Sequence, residues 1–113
     1  MTEQQLQVKC VMWFDQAFPE ERQMLHCNDN NSYDQKEGNK KKAMGVKQGV
    51  SDLELVIYNG KVIWIELKLP GERQTEEQIR FEIRVTRRGH IYEIIYSFEE
   101  FKNLINETYG TSR

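Results

Sequence analysis

The chain has 113 residues, 38% apolar and 30% charged, which predicts one compact domain spanning 1–113 around a single core. A mean hydropathy of −0.76 and the lack of any apolar run of about 18 residues exclude a membrane-spanning helix. MTEQQLQVKC lacks the basic-then-apolar order of a secretory signal. Two cysteines, Cys10 and Cys27, are too few for a disulfide scaffold, so a reducing cytoplasm is expected. The net charge of −2 does not point to an anionic partner, but its distribution is polarised. Lys36, Lys40, Lys41, Lys42 and Lys47 face one acid, Glu37, and Arg80, Arg84, Arg87 and Arg88 form a second cluster. Such runs are usually solvated faces; they are also what a phosphate-binding surface requires.

Glu3 to Phe18 reads as a helix. Leu6, Cys10, Trp13, Phe14 and Ala17 share one stripe at 100° per residue. Glu3 lies on that stripe too, one turn before Leu6. A carboxylate on an apolar face needs a partner, unless it serves only the first-turn dipole. Asn28 to Gln48 shows no sustained period, is broken by Gly38 and Gly45, and is expected to be a long loop.

The next segment, GVSDLELVIYNGKVIWIELKLPG, reads as a hairpin about Asn59-Gly60. Leu53, Leu55 and Ile57 share one face of its first strand, and Ile63, Ile65, Leu67 and Leu69 one face of its second. A two-residue turn would set Asp52 opposite Leu67 and split these faces. A three-residue loop, Tyr58-Asn59-Gly60, pairs Ile57 with Lys61 and Asp52 with Glu66, and keeps the apolar residues together. The second register is therefore expected. It collects Asp52, Glu66 and Lys68 at one end. Two facing carboxylates repel unless a cation or a proton lies between them, and a hard divalent ion suits them. An ordinary surface ion network would account for the same three residues.

In Gln78 the sequence offers two uses for one amide. Thr75-Glu76-Glu77-Gln78 forms a capping box, and the same side chain could reach the hairpin. Ile79, Phe81, Ile83 and Val85 alternate, so local pattern alone predicts a strand over 79–86. As a helix, the segment would place Gln78, Phe81 and Val85 on one side, Ile79 and Ile83 nearly opposite, and Arg80, Arg84 and Arg87 on a third stripe. Residues 91–96 are then a strand, and Phe98 to Asn106 a last helix with Phe101, Leu104 and Ile105 inward. His26, Cys27, Cys10 and His90 have no zinc-site spacing. Trp64 is expected to pack under a helix. No phosphate-binding glycine loop, dinucleotide fingerprint or Ser-His-Asp arrangement is evident.

Gly45-x-x-x-Gly49-Val50-Ser51-Asp52, then Glu66-Leu67-Lys68, then Gln78, resembles the virus-type replication-repair nuclease (VRR-NUC) family of the PD-(D/E)XK superfamily. The likeness extends to an early Glu on the first helix, Glu3, to Trp13 through Pro19, and to Asn28-Asp29. Ser51 stands where the family usually has Pro before the Asp, which removes a fixed φ but no ligand. The resemblance implies an α/β, restriction-endonuclease-like core: a short mixed sheet flanked by helices, with a helix over 75–88. It implies Mg²⁺ or Mn²⁺ held by Asp52, Glu66, the Leu67 carbonyl and Glu3. Lys68 would orient the attacking water or offset developing charge, and Gln78 would order the site. The expected activity is metal-dependent DNA hydrolysis on branched or structured DNA such as a Holliday junction, in a repair or phage setting. Small members of the family pair as homodimers, for which Ile79 and Ile83 are the candidate interface. Lys40, Lys41, Lys42, Lys47, Arg80, Arg84 and Arg87 are the candidate DNA-backbone contacts. Two rivals are a non-catalytic nucleic-acid-binding dimer of the same fold and a restriction-type, sequence-specific endonuclease.

Overall fold

The fold was obtained as a computed structural model and is described for residues 1–28 and 35–113; Asp29 of the motif lies outside the described residues. Helix α1 (Glu3–Ala17) is followed by a 3₁₀ helix (Pro19–Met24) and strand β1 (Leu25–Cys27). Helix α2 (Gln35–Ala43) comes next, then the hairpin of β2 (Leu53–Val56) and β3 (Val62–Leu67). Helix α3 (Glu76–Arg87) connects β3 to β4 (Ile91–Ile95), and α4 (Phe98–Tyr109) closes the fold. The sheet order is β1-β2-β3-β4. Its first two pairings are antiparallel and β3–β4 is parallel, as a strand–helix–strand crossover requires.

Hairpin register follows the parity argument. Leu53 faces Ile65 and Val56 faces Val62, so Asp52 falls opposite Glu66. The Ile57 N–H donates to the Lys61 carbonyl at 2.9 Å. Asn59 and Gly60 both take positive φ, 65° and 70°, in the three-residue loop, a conformation that Asn and Gly tolerate best. One sheet face buries Leu53, Leu55, Ile63, Ile65 and Leu67 against Leu6, Cys10 and Phe14 of α1 and Phe101 and Ile105 of α4. Burying side chains of this size stabilises a fold by about 1.5–3 kcal/mol each. Trp13 joins this layer edge-on to Phe18, Phe98 and Phe101.

The other face carries α3. Trp64 meets Phe81 edge-on at 5.0 Å between ring centroids, and Phe81 in turn meets Tyr92 at 6.4 Å. Residues 76–87 are helical and not a strand. Their alternation arises because Phe81 and Val85 face the sheet while Ile79 and Ile83 occupy the outer side, 42% and 44% exposed. The capping box forms in full at Thr75, which favours the helix at its start.

Two expectations are corrected. Asn28 to Gln48 is not one long loop, since α2 occupies Gln35–Ala43. This helix buries no residue, so it leaves no apolar period in the sequence. Its support is electrostatic: Glu37 in the first turn, three lysines in the last, and a Lys41–Glu37 pair at 3.3 Å. The last helix runs to Tyr109, one turn beyond Asn106, and ends at left-handed Gly110.

Candidate active site at the end of the hairpin

Asp52 stands immediately before β2, and the backbone on either side of it is anchored. The Asn28 N–H donates to the Asp52 carbonyl at 2.9 Å, and the Asn28 side-chain amide donates to the Ser51 carbonyl at 3.1 Å. Gly49, three residues earlier, has φ +81° and lies so close to α3 that a Cβ would sit 2.8 Å from the Glu77 carbonyl carbon. Only glycine meets both demands. Gly49 thereby fixes the approach to Asp52 against the first turn of the helix that bears Gln78.

The Asp52 carboxylate accepts from the Leu67 N–H at 2.8 Å, across the pair that the register brings together. Glu66, on the same side of β3, is 2% exposed. Its Oε1 accepts from the Gln78 side-chain amide at 3.1 Å. Its Oε2 is buried and has no hydrogen-bond partner among the described residues. Burial first, then the Asp52 charge beside it and a hydrogen bond shared with Asp52 when Glu66 carries a proton, pushes the Glu66 carboxyl up to about 9, with Lys68 acting in the opposite direction. Lys68 is itself buried.

Gln78 fills both roles at once. Its amide oxygen accepts from the Thr75 N–H at 2.8 Å, completing the capping box, while its nitrogen donates to Glu66. The two uses do not compete, because a carboxamide carries a separate donor and acceptor. Gln74, just before the helix, donates to Glu82 at 3.0 Å and to the Tyr92 hydroxyl at 3.1 Å, and so ties the start of α3 to β4.

Glu3, in the first turn of α1, lies within the same electrostatic neighbourhood. Its carboxyl is raised to about 7, mainly by burial, then by a hydrogen bond and repulsion from Glu72 and by repulsion from Asp52. Glu72 was not anticipated. It follows the Pro70-Gly71 turn, where the Leu69 N–H donates to its carboxylate. That bond and its contact with Glu3 hold its carboxyl below the usual range. The signal available in the sequence is an acid placed just after a Pro-Gly turn that follows Lys68.

Glu3, Glu66 and Glu72 thus each feel the charge of buried Lys68, and Asp52 acts on both Glu3 and Glu66. Among the described residues, no group of three or more His, Cys, Asp or Glu side chains is arranged as a metal-binding set. The arrangement that fits a cation is the facing pair, Asp52 and Glu66. The unpartnered Oε2 of Glu66 and the raised carboxyl beside a second acid mark a position where a hard divalent ion would replace a proton.

The basic residues sit on α2, on the segment after it and on α3. Lys40, Lys41 and Lys42 form the last turn of α2, and Lys41, Lys42 and Lys47 line a cavity of about 240 Å³ with Gln35, Asn39 and Gln48. Arg80, Arg84 and Arg87 are exposed on α3. Arg80 pairs with Glu76 at 3.4 Å, an exposed contact of little energetic weight. No helix among the described residues is long and apolar enough to cross a membrane.

Comparison with known proteins bears on the family and the fold. The VRR-NUC domain model matches residues 1–99. A protein named "Putative nuclease p44", from Acyrthosiphon pisum secondary endosymbiont phage 1, is 41% identical over 44 residues. That match spans 39% of this chain and 47% of the relative, about half its length. A solved structure titled "VRR_NUC domain protein" superposes with a TM-score of 0.79, covering 100% of this chain and 97% of its own at 20% identity, and so shares the fold. With the family model covering most of its length and the motif residues gathered at the end of the β2–β3 hairpin, the chain belongs to the VRR-NUC family of nucleases.

Proposed function

We propose that the protein is a Mg²⁺- or Mn²⁺-dependent DNA endonuclease that cuts branched or structured DNA, such as a Holliday junction, as a homodimer in the cytoplasm. The observation that carries this reading is the buried Glu66 carboxyl facing Asp52 with an oxygen that no described group satisfies, beside buried Lys68. Unpaired buried carboxyls are costly to maintain, and such perturbed groups concentrate at functional sites.

In this reading Asp52 and Glu66 hold the divalent ion, with the Leu67 carbonyl and Glu3 as further candidates. When bound, the ion supplies Lewis-acid polarisation of the scissile phosphate and of an attacking water. Asp52 is held in place through its bond to the Leu67 N–H. Gln78 fixes the orientation of Glu66 from the rigid first turn of α3. Lys68 offers an ammonium to the non-bridging oxygens, on which negative charge develops in the transition state, and its burial limits the water that would otherwise screen it. Lys40, Lys41, Lys42, Lys47, Arg80, Arg84 and Arg87 contact the DNA backbone and supply affinity without reading sequence. Ile79 and Ile83 pair two copies. A two-fold dimer would bring two sites to a junction of near two-fold symmetry.

The test is cleavage of end-labelled four-way junctions, forks, flaps and linear duplex, with Mg²⁺, Mn²⁺ or EDTA, by the wild type, Asp52→Asn and Lys68→Ala. Metal-dependent cutting of branched DNA that both substitutions abolish is the expected result. Binding without metal-dependent cleavage would show a non-catalytic DNA-binding module, and unchanged rates in the variants would refute the assigned chemistry.

A further inference from the structure

A second concave site adjoins the hairpin end. It is a cavity of about 490 Å³ lined by Leu6, Lys9, Leu69, Pro70, Tyr96 and Phe98, and also by one acid, Glu99. This volume falls in the range of small-ligand sites, about 300–1,000 Å³. The cavity neighbours the site described above along the chain at two points. Leu69 and Pro70 follow Lys68 directly, so its wall begins within about 7 Å of backbone from that lysine. Leu6 lies one helical turn beyond Glu3 on α1.

Its lining has two distinct characters. Leu6, Leu69, Pro70 and Tyr96 present apolar and aromatic surface, and the Tyr96 ring is only partly covered, at 36% exposure. Lys9 brings an ammonium to the same wall, 4.6 Å from the centre of the Phe98 ring, and Lys102 holds a second 5.7 Å from that ring. An aromatic ring beside the Lys9 ammonium matches a nucleotide, whose base is planar and whose phosphate is anionic, and the Glu99 carboxylate on the lining leaves Lys9 as the group that meets that phosphate. Resting on the nuclease reading, we propose that this cavity receives an unpaired nucleobase of the strand whose phosphate lies at Asp52 and Glu66. The base stacks on Tyr96 between it and the Leu69–Pro70 wall, and Lys9 meets the adjoining phosphate. A base paired within a continuous duplex is held in its stack and cannot enter without being extruded. The cavity would therefore select DNA with an unpaired nucleotide next to the scissile bond, as at a fork, flap or junction.

The experiment uses the full chain carrying Asp52→Asn, which removes cleavage from the measurement. A fork bearing 2-aminopurine at the unpaired position reports stacking as a loss of fluorescence, and titration gives the affinity. The same titration is run with an abasic unpaired position and with fully paired duplex. Tyr96→Ala is expected to weaken binding of the fork about tenfold and abolish the quenching while leaving duplex binding unchanged; Tyr96→Phe, which keeps the ring, is expected to bind as the parent does. The abasic fork should lose the same affinity even with Tyr96 intact, so the proposal stays testable if Tyr96→Ala fails to fold. An abasic fork bound as tightly as the intact one, or equal losses for fork and duplex in Tyr96→Ala, would overturn the proposal. Failure of the nuclease reading itself would appear separately, as wild-type protein that cuts no DNA in Mg²⁺ or Mn²⁺.

Discussion

Gln78 and Glu66 are joined by a 3.1 Å hydrogen bond from a side chain that simultaneously closes the capping box of its own helix. The stability of the α3 start and the orientation of the buried acid are therefore linked through one amide. Gln78→Ala removes both contacts. We expect it to cost about 1 kcal/mol of stability and to lower cleavage about 10- to 100-fold. Gln78→Glu separates the roles: its carboxylate still accepts from Thr75 but turns a second acid towards Glu66. Thermal unfolding should stay close to wild type while cleavage is lost. A Gln78→Glu variant as active as wild type would show that the contact serves only the helix.

Gly49 sets how Asp52 meets that same helix. With φ at +81° and a virtual Cβ 2.8 Å from the Glu77 backbone, Gly49→Ala must strain the turn and push it off α3. Backbone strain of this kind costs about 1–3 kcal/mol. The variant should melt at lower temperature and lose activity, whereas Gly71→Ala, which shares a positive φ but meets nothing within 4 Å, should retain more of both. Equal losses in the two variants would mean that close approach to Glu77 is irrelevant.

Much of this arrangement is legible in the sequence, for a physical reason. A strand alternates its side chains with period two, so a one-residue change of register would have moved Leu53, Leu55 and Ile57 off the face of Ile63, Ile65 and Leu67. That constraint sets Asp52 opposite Glu66, in line with the observed Leu53–Ile65 pairing one residue further on. Helix α2 left no comparable trace because it buries nothing. Strand β1, with only Leu25–Cys27, is too short to show a period. The alternation over 79–85 looks like a strand because two opposite faces of a helix are apolar, and the capping residues are what distinguish the cases. For Glu72 the sequence carries only the weak sign of an acid after the Pro-Gly turn, because its partner Glu3 comes from the far end of the chain and only the fold brings them together.

The raised carboxyls give a stability profile for the metal-free protein. Glu66 is pushed to about 9 and Glu3 to about 7, both from an ordinary value of 4.5. The folded state therefore retains protons that the unfolded chain releases. Their stabilisation is complete below about pH 4.5 and is lost as pH rises through 7 and then 9. In EDTA the melting temperature should fall from pH 5 to pH 9, and Glu66→Gln should flatten the upper part of the fall. Added Mg²⁺ or Mn²⁺ should raise melting most at pH 8–9, where the ion replaces the proton, and should not do so in Glu66→Gln. A flat profile in EDTA would contradict the assigned burial of Glu66.

Lysines on α2 make a separate prediction, about salt. Lys40 and Lys42 end a helix with no buried residue, so replacing both with Ala, which keeps the Lys41–Glu37 pair, should leave the melting temperature nearly unchanged. If each lies on a phosphate, the slope of log affinity against log salt should become shallower by about 2. Affinity at low salt should fall for every DNA, paired or branched. An unaltered slope would remove α2 from the DNA-binding surface.

The proposed pairing of two copies through Ile79 and Ile83 makes a prediction about oligomeric state. Both sit on the outer side of α3 at 42% and 44% exposure, where apolar side chains contribute little to a monomer's core. Their neighbours on the helix, Arg80 and Arg84, are exposed cations, so the apolar strip is narrow and a partner must align with it closely. Two copies related by a two-fold axis satisfy this, because each strip meets its own equivalent. The wild type should elute and scatter light as twice 13.5 kDa, and the double variant Ile79→Lys, Ile83→Lys as a single chain with nearly unchanged circular dichroism. Interfaces of obligate homodimers are largely apolar, so two buried lysines per subunit would be enough to separate the copies. If cutting of four-way junctions depends on two sites acting together, that variant should nick one strand and fail to resolve the junction. A wild type that is monomeric at micromolar concentration, or a double variant that remains dimeric, would place the interface elsewhere or remove it.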